Sequence, residues 1–400
     1  MIEAPETELV YPLTDGDIAI NNLQSARQGA WSRFWRDPLR PCIAEYIVEQ
    51  EQQTIQFLGD LSALDRLGTL INQLDRADAD SPRTALIHAQ VTAATHRFAD
   101  AKSYLARVAG CIELSDAASR LSLSIDQACG TRLESVLESR LRMAAESGHL
   151  EDLVPLGALH ADLREFDEAD RIYQRALRTY QETSPFAVAW ACFQLGVLWG
   201  ELVPEPQLNR AACWYRKALE CLPCYVKARV HLAEIYLRCG RIADAEALLN
   251  PVVSSGDPEV SWRLADVMVA MRRFADAEVQ MQAARSGFKV LLEKHLLAFA
   301  DHGVEFYSGS GNNPLRAFEL ASINLANRPT LRASERAFAI AVDAGFSDSA
   351  TVILTAAKKR WGATTAFRLS SLAAPADDLA EDNRICGSKH HSLMEHSHDG

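Results

Sequence analysis

Apolar residues along most of this chain recur at steps of three and four, the spacing of an amphipathic helix rather than the alternation of a strand. The helical stretches come in pairs, and the pairs repeat with a period of about 34 residues. Ala101 and Ala169 stand two such steps apart, with Ser135 as a degenerate member between them. Ala89, Leu123 and Gly157 mark the same step in the helix before each. A period of this size predicts stacked helical hairpins, each burying its apolar face against the next.

The pattern is sharpest at Leu156-Gly157, His160, Ala169, Tyr173 and Ala176, and it recurs at Leu195-Gly196, Ala211, Tyr215, Ala218 and Pro223. It returns at Leu232-Ala233, Tyr236, Gly240 and Ala245, then at Leu264-Ala265, Ala277 and Ala284. Ala298, Ala317, Ala321 and Pro329 continue it, and Phe338, Gly345, Ala350, Leu354 and Ala357 form a last hairpin. Ile55, Leu67, Ile71 and Leu74 fit a degenerate first one. Small residues let two helices cross closely, and a tyrosine fills the space between repeats. These residues resemble the tetratricopeptide repeat. The resemblance implies an all-α, right-handed superhelical solenoid of antiparallel helix pairs, with about nine hairpins between Ile43 and Trp361. The chain divides accordingly into a segment and cap over 1–42, a solenoid over 43–362 and a tail over 363–400.

Two hairpins are longer than the rest. Leu202-Val203-Pro204-Glu205-Pro206 interrupts one, where two prolines forbid a continuous helix. With Trp214-Tyr215-Arg216-Lys217-Ala218 that hairpin also resembles a Sel1-like repeat. The other extension, Tyr307 to Asn313, reads as a flexible loop ahead of Pro314. Such insertions are either tolerated length drift or projections from a binding face. Ahead of the repeats, Trp31-Ser32-Arg33-Phe34-Trp35-Arg36 places aromatics at steps of three and four. A cap on the first hairpin accounts for it better than a recognition motif.

Composition narrows the function. A net charge of −12 argues against nucleic acid as a partner. The one compact basic run, Lys358-Lys359-Arg360, ends a predicted helix, where cations complement the macrodipole. The amino terminus lacks the layout of a signal peptide, and no uninterrupted apolar stretch approaches membrane-spanning length. Nine scattered cysteines then read as reduced thiols in a cytoplasmic protein. No phosphate-binding glycine loop, nucleophile elbow or His-Glu-x-x-His pair is present, so the chain is expected not to be an enzyme.

Recognition is the expected role instead. In tetratricopeptide-like repeats the first helix of each pair lines the concave face through its second, fifth, ninth and twelfth positions. That register selects Trp190 and Phe193, with Glu201 nearby, then Lys227, Val230 and Glu234. It continues with Glu259, Trp262 and Asp266, then His295, Phe299 and His302. Aromatic anchors beside carboxylates suit a peptide carrying apolar and basic residues, unless the aromatics pack between hairpins instead. The family's Lys and Asn clamp for terminal carboxylates is missing, since Arg120 and Lys227 stand alone.

Two cysteine and histidine clusters remain. Cys221-Leu222-Pro223-Cys224 could be redox-active, or join Cys213 and Cys239 around zinc, but buried apolar thiols are the commoner case. His390, His391, His396 and His398 crowd the acidic tail, which is expected to be disordered and could hold Ni, Cu or Zn. The leading expectation is therefore a non-enzymatic adaptor or scaffold that binds a protein or peptide in its concave groove, with no required cofactor, nucleic acid or membrane. The alternative is an accessory metal-handling protein that grips a metalloenzyme.

Overall fold

The computed structural model describes residues 12–373, and no strand occurs among them. A long helix, α1 (Gly16–Arg36), precedes nine antiparallel pairs among the described residues. These are α2 (Ile43–Leu58) with α3 (Ala63–Asp78), α4 (Pro82–Ala94) with α5 (Phe98–Val108), and α6 (Ser115–Ala128) with α7 (Leu133–Ser147). Next come α8 (Leu150–Asp162) with α9 (Phe166–Arg178), α10 (Pro185–Val197) with α11 (Leu208–Cys221), and α12 (Val226–Arg238) with α13 (Ile242–Leu249). The last are α14 (Pro258–Ala270) with α15 (Phe274–Lys294), α16 (Leu296–Ser308) with α17 (Pro314–Asn327), and α18 (Leu331–Asp343) with α19 (Ser347–Trp361). A short α20 (Thr365–Arg368) follows. The solenoid expected from the repeats is the fold observed.

Local chemistry starts and stops these helices. Proline opens α4, α10, α14 and α17, where a missing N–H costs nothing. The Ser81, Asp257, Asn313 and Thr330 side chains accept backbone N–H groups at four N-termini. Most first helices end in the same six-residue bond: the N–H groups of Arg97, Glu165, Arg241 and Arg273 donate to the carbonyls of Thr92, His160, Tyr236 and Met268. That closure needs a left-handed residue, which is Gly240 in one pair but His96 and Arg164 in two others, at φ 55° and 63°.

Packing follows the small-residue register. Ala101, Ala169, Ala211 and Ala245 are fully buried. A side-chain carbon on Gly157 would sit 2.8 Å from the Tyr173 ring, so the glycine is what admits the tyrosine. Gly196 and Tyr215 repeat the arrangement still more tightly. One register assignment is corrected. The residue of α7 that meets its partner helix is Val136, 1% exposed, whereas Ser135 points to solvent. The turn through Gly130 and Arg132 adds one residue and shifts the phase. Tyr307 to Asn313 is also no loose loop. Tyr307 and Ser308 complete α16, Gly311 N–H donates to Phe306 O, and the Ser310 hydroxyl donates to Asp266. In the other long hairpin, one π-helical turn, Leu198–Leu202, absorbs the extra residues.

The α1 helix packs on α2, with Phe34 fully buried. Its start also reaches the middle of the solenoid, where Thr14 N–H donates to Thr183 O and Gly16 lies against Pro223. The superhelix therefore closes on itself. Phe57 of α2 packs on Phe186 and Tyr225, and Gln56 donates to the Tyr225 hydroxyl 169 residues away. Lys294 meets Asp65, Asn327 donates to His96 O, and Arg360 donates to Gly130 O. Arg164 grips both oxygens of Glu335 at 2.5 Å. The seam at α2 and α12 is apolar, and Leu133 packed on the Trp361 cluster adds a second apolar contact among the polar ones.

Candidate peptide-binding groove

The inner wall is built by the first helices of successive pairs. Positions two, six and nine of α12 and α14 face inward: Lys227, His231 and Glu234, then Glu259, Arg263 and Asp266. These fall on one stripe because four- and three-residue steps return to the same side of a helix. The fifth positions, Val230 and Trp262, are 3% and 4% exposed and belong to the core. The second and ninth positions expected from the register hold half-buried charged side chains, and the fifth positions, expected to face a ligand, are core instead.

Each predicted groove residue has a definite place. Trp190 is half-buried against the main core, and Phe193 is buried against Tyr215, Tyr225 and His231. Trp262 packs on Phe288 and Phe306 with ring centroids 6.3 and 5.4 Å away, beneath the Arg263 guanidinium. Phe193 and Trp262 are therefore inter-repeat core, because a ring enclosed by its neighbours offers a ligand no surface. Phe299 is half-buried beside His302. His295 ends the α15–α16 junction near Asp65 and lies under the first superhelical turn instead of in the groove. Glu234 bridges to Arg263 at 2.8 Å, and Asp266 accepts from Ser310. Lys227 makes no hydrogen bond or close ion pair among the described residues, but its charge lies near enough to Asp257 and Glu259 to pull both carboxyls down.

Charge pairs tie one repeat to the next. His231 contacts Glu201 at 2.7 Å, Arg263 contacts Glu234, and His302 contacts Glu259 at 2.5 Å. Across the groove, Arg332 approaches Glu201 at 3.7 Å. Burial favours neutral carboxyls, but the facing imidazoles outweigh it and hold Glu201 and Glu259 down to about 2. Burial likewise opposes a charged His302, yet Glu259 and Asp301 raise it to about 10. Asp257, raised to about 6 by burial and Glu259, caps α14 through a bond from Glu259 N–H. Glu201 and Glu259 are thus held ionised and His302 protonated at neutral pH, whereas Asp257 is raised toward it. Glu305 makes no hydrogen bond or ion pair among the described residues, and the surrounding wall raises its carboxyl although Arg336 and His302 pull it down.

The His302–Glu259 pair has a pH signature. The stabilisation from His302 is complete below its ordinary value of 6.5 and is lost as pH climbs through about 10. That from Glu259 is present above 4.5 and is lost as pH falls through about 2. The imidazole resonances of His302 should remain those of the protonated ring at about pH 8. The melting temperature should fall as pH rises from about 6.5 to 10, and His302→Gln should flatten that fall. A free-histidine titration near 6.5 would contradict the pairing.

Sequence reasoning missed His231, Arg263, Asp301, Glu305, Arg332 and the Arg164–Glu335 bridge. His231 and Arg263 were one residue from predicted positions and could have been found by following the stripe. The cross-groove partners carry no local signal.

The cysteine readings are resolved by burial. Cys221 and Cys224 are free thiols, each pushed up to about 11 by burial, the opposite of an activated thiolate. Among the described residues no three His, Cys, Asp or Glu side chains converge as metal ligands, so Cys213 and Cys239 do not complete a site with them. His390, His391, His396 and His398 lie outside the described residues. One apolar stretch, Pro185–Leu202, is long enough to cross a membrane by composition, and it is α10 with its π turn, packed between α9 and α11.

The fold and its inner wall define a tetratricopeptide-like helical solenoid. No protein-family profile matches the sequence, and no curated protein matches it. Among solved structures, a chain of the Cut9–Hcn1 hetero-tetramer of APC/C is similar over 86% of this chain, at 14% identity and a TM-score of 0.41. This chain spans 63% of that one's length. The C-terminal part of a TPR repeat-containing protein from Cytophaga hutchinsonii is similar over 72% of this chain and 95% of its own, at 12% identity and a TM-score of 0.30. At overlaps this low the fold stands on the helix pairing described above.

Proposed function

We propose that this chain is a non-enzymatic protein-binding scaffold whose inner groove holds an extended peptide or a client segment. The observation that carries the reading is the stripe of charged side chains on successive first helices, in which Lys227 and Glu305 are left unpaired among the described residues. Paired neighbours such as Glu234–Arg263 and His302–Glu259 set the wall's shape, so the free charges are what a ligand would meet. The partner is consequently not simply basic. It needs a carboxylate for Lys227 and a cation for Glu305, spaced to match.

Affinity capture of partners by the full chain tests this. Lys227→Gln with Glu305→Gln should reduce the recovered partner at least about tenfold while leaving helicity unchanged. Undiminished recovery would remove the groove as the binding surface. The metal-handling alternative rests on the tail histidines alone. Metal uptake by the full chain against one ending at Glu381 separates it from the plain scaffold.

A further inference from the structure

The carboxyl end of α1 carries a surface that the groove does not use. Arg33 and Arg36 occupy its last turn, and Arg40 follows in the turn after it. All three are exposed, and none forms a side-chain hydrogen bond or ion pair among the described residues. Elsewhere on α1, and on α3 and α4, Arg27, Arg66 and Arg83 are all paired with carboxylates. Trp35 is 54% exposed and Leu39 49% exposed between the free arginines. The Trp35 indole is held in place from below: it stacks on Trp31 at 5.8 Å and meets the edge of buried Phe34 at 5.7 Å. Trp31 is itself fixed by donating to Glu51 at 2.7 Å.

Beside this platform lies a cleft of about 220 Å³, bounded by Pro38, Leu39 and Arg40 and floored by Leu74 and Ile87. Asp78, Ser81, Arg83 and Thr84 make the rest of its lining polar, and exposed Asp37 stands within the arginine run. Cations at a helix end complement the macrodipole, which accounts for Arg33 and Arg36. It does not account for Arg40 beyond the helix, nor for an ordered tryptophan left in solvent. Rigid aromatic and arginine side chains next to a cleft with an apolar floor are the makings of a binding surface.

We propose that this end of α1 docks an acidic segment of a partner protein, its carboxylates on Arg33, Arg36 and Arg40 and an apolar side chain in the cleft beside Trp35. Charge complementarity selects that occupant. The whole chain carries −12, so its general field repels acidic ligands and capture of one would report a local surface. The surface is separate from the groove, and its test does not depend on what the groove holds.

The probe is a fluorescein-labelled synthetic peptide of repeating Glu-Glu-Leu, titrated with the full chain at low salt and followed by anisotropy. The parent should bind it, and added salt should weaken binding. The triple variant Arg33→Ser, Arg36→Ser, Arg40→Ser should lose affinity about tenfold or more, and Trp35→Ala should also weaken it, both with unchanged circular dichroism. Equal affinity for parent and triple variant, or no binding by the parent, overturns the proposal. So does capture of phosphatidylserine vesicles without capture of the peptide, which would make the surface a membrane contact. A parent dimer that Trp35→Ala converts to monomer, with no peptide bound, would assign the surface to a second copy.

Discussion

Replacing Trp262 by alanine is expected to cost about 3–5 kcal/mol of stability, with no selective loss of partner binding. The indole is 4% exposed and closes a cluster with Phe288 and Phe306 that joins α14, α15 and α16. Deleting it removes transfer energy and leaves a cavity between repeats. Because a solenoid is stabilised by its nearest neighbours, amide exchange should quicken first in α14 to α17 and least in α4 to α7. Denaturant melts with exchange mass spectrometry give both readings. A variant that melts like its parent but loses its partner would return Trp262 to the groove.

Reversing Arg164 to glutamate is expected to cost a further large amount, about 3–5 kcal/mol, and to loosen the closed superhelix. Arg164 and Glu335 are 16% and 15% exposed in their side chains, so the surviving carboxylate would face a like charge with little water to screen it. Glu335 also accepts from the backbone and hydroxyl of Ser371, so the same bridge anchors the end of the described chain. The radius of gyration should rise, and exchange should increase in α8, α9 and α18. The swap Arg164→Glu with Glu335→Arg should recover compactness, short of the parent because the Ser371 bonds are lost. An unchanged scattering profile for the single variant would mean that the apolar seam at Phe57 and Tyr225 alone holds the turns together.

The repeat register was legible because its signals are local. A glycine or alanine at a helix crossing, a tyrosine that fills the gap, and proline at a helix start each act within one hairpin. Gly157 with Tyr173 and Gly196 with Tyr215 could be read directly from the chain. The Ser135 assignment failed for an equally local reason, since a single extra residue in the turn at Gly130 rotates the side chains of α7 by one helical step. The groove was half legible. Lys227, Glu234 and Asp266 occupy the second and ninth positions of α12 and α14 that the register selected, while Phe193 and Trp262 were assigned to a surface that burial denies them.

What the sequence determined by itself is the all-helical pairing, the small-residue crossings and the charged stripe on the first helices, because each depends on residues within about one repeat length. Tertiary structure alone decided that the superhelix closes. It sets Glu335 against Arg164 and Tyr225 against Gln56, and it directs His295 toward Asp65 instead of the groove. Contacts of this kind join residues 169 and 171 positions apart. They arise from the small rotation that each hairpin adds to the last, summed along the solenoid. No single repeat encodes that sum, so no pattern within the chain announces which side chains will meet.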